Sequence, residues 1–399
     1  MLTPMAPTLT RTSIRRPVVL ALATLVLAVG LAGCLGTPGT TDQITLVSSR
    51  TVNGWKYDYF RNTAYPCSIS GYQTFVLGTK VGSVATESHP LWVMMHGGGV
   101  GWFDQTGAPM PTAGQKSEES FDALLGRDSP GLVAKVKAAP EGFRLLIVSM
   151  CSHDIYGGNN TADPNNPNTT PDGKPRPTTG LIATKAAIQY AEAQYPTDDF
   201  FLHGTSAGSA GTYNVGWALQ QQGIPPTGMV SDSGVMNQAW ELWVAEHGLP
   251  GSAGCAKATE DRGAGVLGRI DPELGDPNNE PHDLVSSGRL TVPELHVWNR
   301  ADNNSCGDAP MDCPLPDGTS VTMGASECRH APMRLAIEGQ GAGSKSLDME
   351  VCVEGNDTSM ACDRHVVTTS ANLVNTLPGG PADFQTAIMT WVRARLADD

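Results

Sequence analysis

The 399-residue sequence predicts an α/β fold, a mostly parallel sheet covered by helices on both faces. Three observations point there. Short uninterrupted apolar runs alternate with helically spaced ones, and a strand that is apolar along its whole length buries both faces. Two of these runs stop at glycine-rich turns, where a parallel sheet carries its chemistry. Hydrophobic residues make up 40% of the chain, enough for a large core and too many for global disorder. Gly 45 and Pro 29 follow no G-X-Y period, so they read as turns and long loops.

The elements follow in order. Residues 45–77 hold short apolar pieces with Trp55, Tyr57, Tyr59, Phe60, Tyr72, Phe75 and Leu77, a pattern of antiparallel strands at one sheet edge. The run 91–95 stops at His96-Gly97-Gly98-Gly99, and 144–150 stops at Cys151-Ser152-His153-Asp154. After a polar loop, 157–180, residues Ile182, Ala186, Tyr190 and Ala193 recur at helical spacing until Pro196 ends the helix. The strand 200–203 runs into Gly204-Thr205-Ser206-Ala207-Gly208, a helix is predicted from Ala207 to Gln221, and 228–231 is a further strand. Residues 235–290, rich in Gly, Pro and Asp, read as a cap or insertion within a single domain spanning 45–399. Strands resume at 294–298 and 347–353, and a last helix, 383–396, sets Phe384, Ile388, Trp391, Val392 and Leu396 on one side.

Residues 1–33 read as a targeting segment and stand apart from the fold. Arg11, Arg15 and Arg16 precede an apolar run, 18–32, shorter than the roughly 20 residues of a membrane span. It ends in Leu31-Ala32-Gly33-Cys34, which resembles a bacterial lipoprotein lipobox, whose cysteine is lipidated and becomes the new N-terminus. Residues 34–44 then form a short tether, and the chain is expected to be exported to the cell envelope and held to a membrane through Cys34. Ordinary secretion, with Cys34 incidental, is the plainer alternative, and a retained anchor is a third.

Lys+Arg 26 against Asp+Glu 40 gives a net charge of -14, and removal of 1–33 takes away arginines and no acid. With no basic cluster anywhere, nucleic acid is excluded as a partner, and a monomer is expected. Cys67, Cys151, Cys255, Cys306, Cys313, Cys328, Cys352 and Cys362 form an even set, which in an exported chain reads as a disulfide framework. Cys306/Cys313 and Cys352/Cys362 are close enough in sequence for local loops. No C-x₂-C pair suggests zinc, and the acidic loops 163–172 and 271–276 lack the EF-hand pattern, so no metal or cofactor is expected.

Taken alone, Gly204-x-Ser206-x-Gly208 is a turn closing a helix cap, and the triple glycine a plain loop. Their context is more specific. A nucleophile elbow needs a strand, a sharp turn of small residues and a helix start, which exposes the Ser206 hydroxyl at the strand's carboxyl end. The glycines after 91–95 stand where an oxyanion loop belongs, so the amides of Gly98, Gly99 and Ala207 are the candidate donors, with His96 bracing the loop. The acid and the base should follow the serine in that order. Asp302, just past the strand 294–298, is the leading acid and Asp232 its main rival; Asp308 and Asp312 lie further along the loop. Of the later histidines, His296 is inside a strand, His330 precedes a predicted helix, 332–338, and His365 follows the last strand through a short loop. His365 is the leading base and His330 its rival.

Four segments resemble the pectin acetylesterase and Notum-like branch of the α/β-hydrolases, particularly its bacterial relatives. His96-Gly97-Gly98-Gly99-Val100-Gly101-Trp102 is similar to the family's Gly-Gly-Gly-Trp loop, with Val100-Gly101 inserted. Cys151-Ser152-His153-Asp154 is similar to its Cys-Ser/Thr-Gly/Ser-Asp segment, with His153 replacing a small residue. Gly204-Thr205-Ser206-Ala207-Gly208 matches the nucleophile motif, and Cys362-Asp363-Arg364-His365 is similar to the base segment. The resemblance, over most of 54–395, implies an α/β-hydrolase fold and hydrolysis of a carboxylic ester by a Ser-Asp-His triad, which needs no cofactor. The substrate it implies is an ester-bearing small molecule or an O-acetyl or O-acyl group on a carbohydrate or glycoprotein, with Asp154 near the oxyanion loop. A serine peptidase and a non-catalytic cell-surface binding lipoprotein are the competing readings of the same residues.

Overall fold

Side chains alternate across a strand, and in the central strands of this sheet both sets are buried. The computed structural model describes residues 43–101, 103–109, 116–128, 131–247, 267–351, 364–369 and 384–398. The expected targeting segment 1–33, Cys34 and nearly all of the tether lie outside the described residues, as do Trp102, Cys255, Cys352, Cys362 and Asp363. Gly39–Asp399 form one compact unit.

The sequence order of strands is β1 (Ile44–Val52), β2 (Trp55–Pro66), β3 (Tyr72–Lys80), β4 (Leu91–Met95), β5 (Arg144–Val148), the minor hairpin β6 (Thr161–Ala162) and β7 (Pro177–Thr178), then β8 (Phe200–Thr205), β9 (Gly228–Asp232), β10 (Glu294–Trp298), the hairpin β11 (Pro310–Pro314) and β12 (Ser320–Gly324), and β13 (Leu347–Glu350). Nine of them form one sheet in the order β1-β2-β3-β5-β4-β8-β9-β10-β13. β1, β2 and β3 pair antiparallel and β3 joins β5 antiparallel, whereas β5, β4, β8, β9, β10 and β13 are parallel. This is the sheet of the α/β-hydrolase fold, with the expected antiparallel edge.

Helices α1 (Phe121–Leu125), α2 (Leu132–Ala138), α3 (Gly180–Gln194), α4 (Ala207–Gln221), α5 (Gln238–His247), α6 (Pro281–Ser286), α7 (Ala325–Gly339) and α8 (Phe384–Leu396) complete the described structure. Leu91, Val93 and Met95 of β4 pack with Leu181 and Ile188 of α3, Val215 of α4 and Met333 of α7. Trp92 and Met94 point the other way, toward Val133 of α2 and Ile388 and Val392 of α8. Within 235–290, α5 sends Trp240 and Val244 into a third cluster around Met311, Cys313 and Cys328.

Two local expectations need correction. Cys313 pairs with Cys328, not Cys306, because the β11–β12 hairpin folds back on α7 and brings their Cα atoms to 5.4 Å. Cys306 is itself disulfide-bonded, and Cys67 pairs with Cys151. His330 does not precede a helix starting at 332 but lies inside α7, which runs through Pro332. A proline removes the amide that would reach the carbonyl four residues back, and Asn237 Nδ2 donates to the freed Cys328 carbonyl at 3.3 Å.

Beneath this helix Glu294 is fully buried and accepts from Tyr213, whose hydroxyl also meets His296 Nδ1 at 3.0 Å. Burial pushes the Glu294 carboxyl up to about 8 and holds His296 down to about 3. Between its ordinary range near 4.5 and about 8, folded Glu294 keeps a proton that the unfolded chain releases, so stability falls as pH rises through this window. Thermal unfolding followed against pH is expected to show this loss, and Glu294→Gln, which stays neutral, is expected to flatten it.

Candidate active site

Register brings the site together. Met95 of β4 lies opposite Gly204 of β8, Thr205 opposite Asp232 of β9, and Asp232 opposite Val297 of β10. The residues just beyond these ends, 96–99, 206, 233 and 299–302, are therefore delivered to one edge.

The turn after β8 is as tight as its sequence requires. Ser206 has φ 54 and ψ −120, a conformation costing a non-glycine residue about 1–3 kcal/mol. A Cβ at Gly204 would overlap the Gly208 carbonyl, and one at Gly208 would overlap the Met95 carbonyl, so neither position tolerates a larger residue without movement. The Ser206 amide donates to Asp232 O at 2.8 Å, pinning the elbow to β9.

His365 Nε2 stands 2.7 Å from Ser206 Oγ, and its Nδ1 stands 2.7 Å from Asp302 Oδ2. Asp302 is fully buried and its other oxygen accepts from the Asn304 amide at 2.8 Å. A buried carboxylate on Nδ1 holds that nitrogen protonated and leaves Nε2 as the acceptor facing the hydroxyl. Asp308 and Asp312 are exposed. His330 is turned away: its Nδ1 meets His296 Nε2 at 2.9 Å and its ring stacks on Trp298.

Asp232, the rival acid, does not touch the His365 ring. Its carboxylate accepts from the Val367 amide at 3.0 and 2.9 Å, from the Thr368 amide and hydroxyl at 2.6 Å each, and from Ser233 Oγ at 2.7 Å. It thus fastens Val367 and Thr368, two and three residues after His365. From the other side, Asn299 Nδ2 donates to Arg364 O at 2.7 Å. A directed chain reinforces Asp232: Trp92 Nε1 donates to His203 Nδ1 at 3.3 Å, leaving His203 Nε2 to donate to Thr368 Oγ1 at 2.9 Å. Burial pushes His203 down to about 3, which keeps the ring neutral as this direction demands.

The amides of Gly98, Gly99 and Ala207 donate to no acceptor among the described residues. Gly98 and Gly99 have φ of 149 and 75, which turns the loop in a way a side chain would resist. Five contacts hold the loop: Gly97 N donates to Thr205 Oγ1 at 3.1 Å, Tyr156 OH to His96 O at 3.1 Å, Gly101 N to His153 O at 2.9 Å, His153 Nδ1 to Gly99 O at 3.3 Å, and His96 Nε2 meets Glu119 at 3.0 Å. Asp154 acts at one remove. Its carboxylate accepts from Tyr156 N, Gly158 N and Gly180 N, so it shapes the 154–158 turn and the start of α3, while its neighbours His153 and Tyr156 reach the loop. Burial pushes Asp154 up to about 6 and His153 down to about 4.

Glu119, Thr205, Tyr156, Asn299 and Thr368 were not singled out from sequence. Glu119 sits in Lys116-Ser117-Glu118-Glu119-Ser120, which reads as a solvated polar run, yet it is 3% exposed. Among the described residues, no group of three His, Cys, Asp or Glu is placed to hold a metal.

No protein-family model matches the sequence, and no curated protein does. Solved structures of similar shape include the Wnt deacylase Notum from Drosophila, at 13% identity and a TM-score of 0.46 over 88% of this chain and 94% of that one. Carboxyl esterase 2 from the mycorrhizal fungus Tuber melanosporum matches at 12% identity and 0.44, over 76% and 78%. An S-formylglutathione hydrolase from Agrobacterium tumefaciens matches at 10% identity and 0.43, over 77% and 91%. Likeness this distant carries no argument about chemistry, which rests on the residues above.

Replacing Asp232 by Ala is expected to leave the Val367 and Thr368 amides without their acceptor and to cost about 3 kcal/mol, read as a lower urea midpoint.

Proposed function

We propose that this protein is a serine carboxylesterase. The observation that carries the reading is the unbroken chain from Asp302 through His365 to Ser206 Oγ, at 2.7 Å for each link. In the reaction, His365 Nε2 takes the hydroxyl proton as Ser206 Oγ attacks the ester carbonyl. The Gly98, Gly99 and Ala207 amides stabilise the tetrahedral oxyanion, and removal of one such donor typically costs about 3 kcal/mol. The alcohol leaves with the proton from His365, and water activated by the same ring releases the acid. Asp302 holds the ring's tautomer throughout.

The sequence resemblance favours an O-acetyl or O-acyl group on a carbohydrate as the ester. The place of action is the outer face of a membrane, with Cys34 as the lipid-bearing residue; the Leu-Ala-Gly-Cys motif and the disulfides Cys67–Cys151 and Cys313–Cys328 support an exported, oxidising setting.

An activated acetyl ester is expected to give a burst of alcohol stoichiometric with enzyme, lost in folded Ser206→Ala. Asp302→Asn is expected to lower kcat roughly 10⁴-fold with little change in folding. Undiminished hydrolysis by Ser206→Ala overturns the assignment, and faster cleavage of amides than of matched esters favours a peptidase. Cys34→Ser is expected to move the protein from the membrane fraction to the soluble fraction of cells that produce it.

A further inference from the structure

Behind the oxyanion loop lies a buried pair that the triad does not use. His96 and Glu119 are each 3% exposed. His96 Nδ1 stands 2.6 Å from Gly97 O, and its Nε2 stands 3.0 Å from the Glu119 carboxylate, which also accepts from the Met150 amide at 2.8 Å. The Glu119 backbone is fixed as well, since its carbonyl accepts from Tyr59 OH at 2.7 Å and Thr74 Oγ1 at 3.0 Å. A carbonyl oxygen only accepts, so Nδ1 must carry hydrogen. Nε2 faces a second oxygen acceptor, and a ring whose two nitrogens both face acceptors is an imidazolium.

The acceptor on Nδ1 matters more than the pair itself. Gly97 C=O and Gly98 N–H belong to one peptide group, and Gly98 N–H is a candidate oxyanion donor. A charged hydrogen bond to the oxygen of a peptide draws density from its nitrogen and strengthens the N–H as a donor.

We propose that Glu119 and His96 are positioning residues that hold a buried imidazolium on Gly97 O and thereby polarise the Gly97–Gly98 peptide toward the oxyanion. Glu119 keeps the proton on Nε2, and His96 passes its charge to the reacting centre through one peptide. Several groups surround the pair. His153, against Gly98 and Gly99, is held neutral by burial first and by the neighbouring His96 second. Glu119 stays below its ordinary value despite burial, through the hydrogen bond and charge of His96. Tyr156 donates only to the His96 backbone carbonyl, and the Lys116 ammonium lies over the Phe103 ring.

This inference rests on the esterase reading, and Glu119→Gln separates the two. Glutamine can accept from Met150 N and donate to a neutral His96 Nε2, so every hydrogen bond survives and only the charge is lost. Nitrogen-15 spectra of the whole protein at pH 7 are expected to show both His96 ring nitrogens protonated in the wild type and one in Glu119→Gln. With p-nitrophenyl acetate, kcat is expected to fall about tenfold with KM unchanged, a part of the roughly 10²–10³-fold lost when a donor is removed. Affinity for a trifluoromethyl ketone, which forms the oxyanion, should fall by the same factor. A neutral His96 in the wild type overturns the proposal even if the variant fails to fold, and so does wild-type kcat in a folded Glu119→Gln. If wild type and Ser206→Ala turn over the ester equally, the esterase reading fails instead, while the His96 spectra still report whether the pair is charged.

Discussion

The constraint on which the rest depends is the fastening of the 364–369 segment to the sheet by Asp232. That segment belongs to no helix or strand, yet it carries the imidazole that must sit within hydrogen-bond reach of Ser206. Two backbone amides and a hydroxyl from Val367 and Thr368 end on one buried carboxylate at the tip of β9, the strand whose Asp232 carbonyl also receives the Ser206 amide. Ser206 and the His365 segment are thus referred to the same residue, one through its carbonyl and one through its side chain. In the proposed mechanism, a loop that moved freely would lose much of the advantage of having the base in place.

This arrangement also explains how two aspartates share the work. The carboxylates of Asp232 and Asp302 are both fully buried at the ends of neighbouring strands. Backbone amides occupy the first from the 367–368 side, so it faces away from the ring. The second follows β10 on a turn that it caps itself through the Asn304 amide, leaving Oδ2 for His365. Position after a strand narrows the choice to these two, and hydrogen-bond partners distant in sequence decide it.

Much of the architecture was legible in the sequence because it is written locally. Apolar runs of five or six residues mark the parallel strands, and the strands mark where Ser206, Asp302 and the glycine loop emerge. Chain order then places a histidine after the acid. What remained hidden is non-local. Glu119 reaches His96 across 23 residues and Asp232 reaches Val367 across 135, and nothing near either acid in sequence announces a buried partner. Pro332 misled the reading of α7 for a related reason: the group that takes over its orphaned carbonyl is Asn237, in another element. The spacing of Cys306 and Cys313 suggested a pair, but a hairpin folding onto a helix set the partner.

The bond between Cys67 and Cys151 ties the end of the antiparallel edge to the turn after β5. Two residues beyond Cys151, the His153 carbonyl receives Gly101 and its ring lies against Gly98. Two residues of chain thus separate this crosslink from a turn that holds the glycine loop. A thiol-rich cytosol disfavours that bond, so the choice of production host bears on how firmly this turn is tied to the sheet edge.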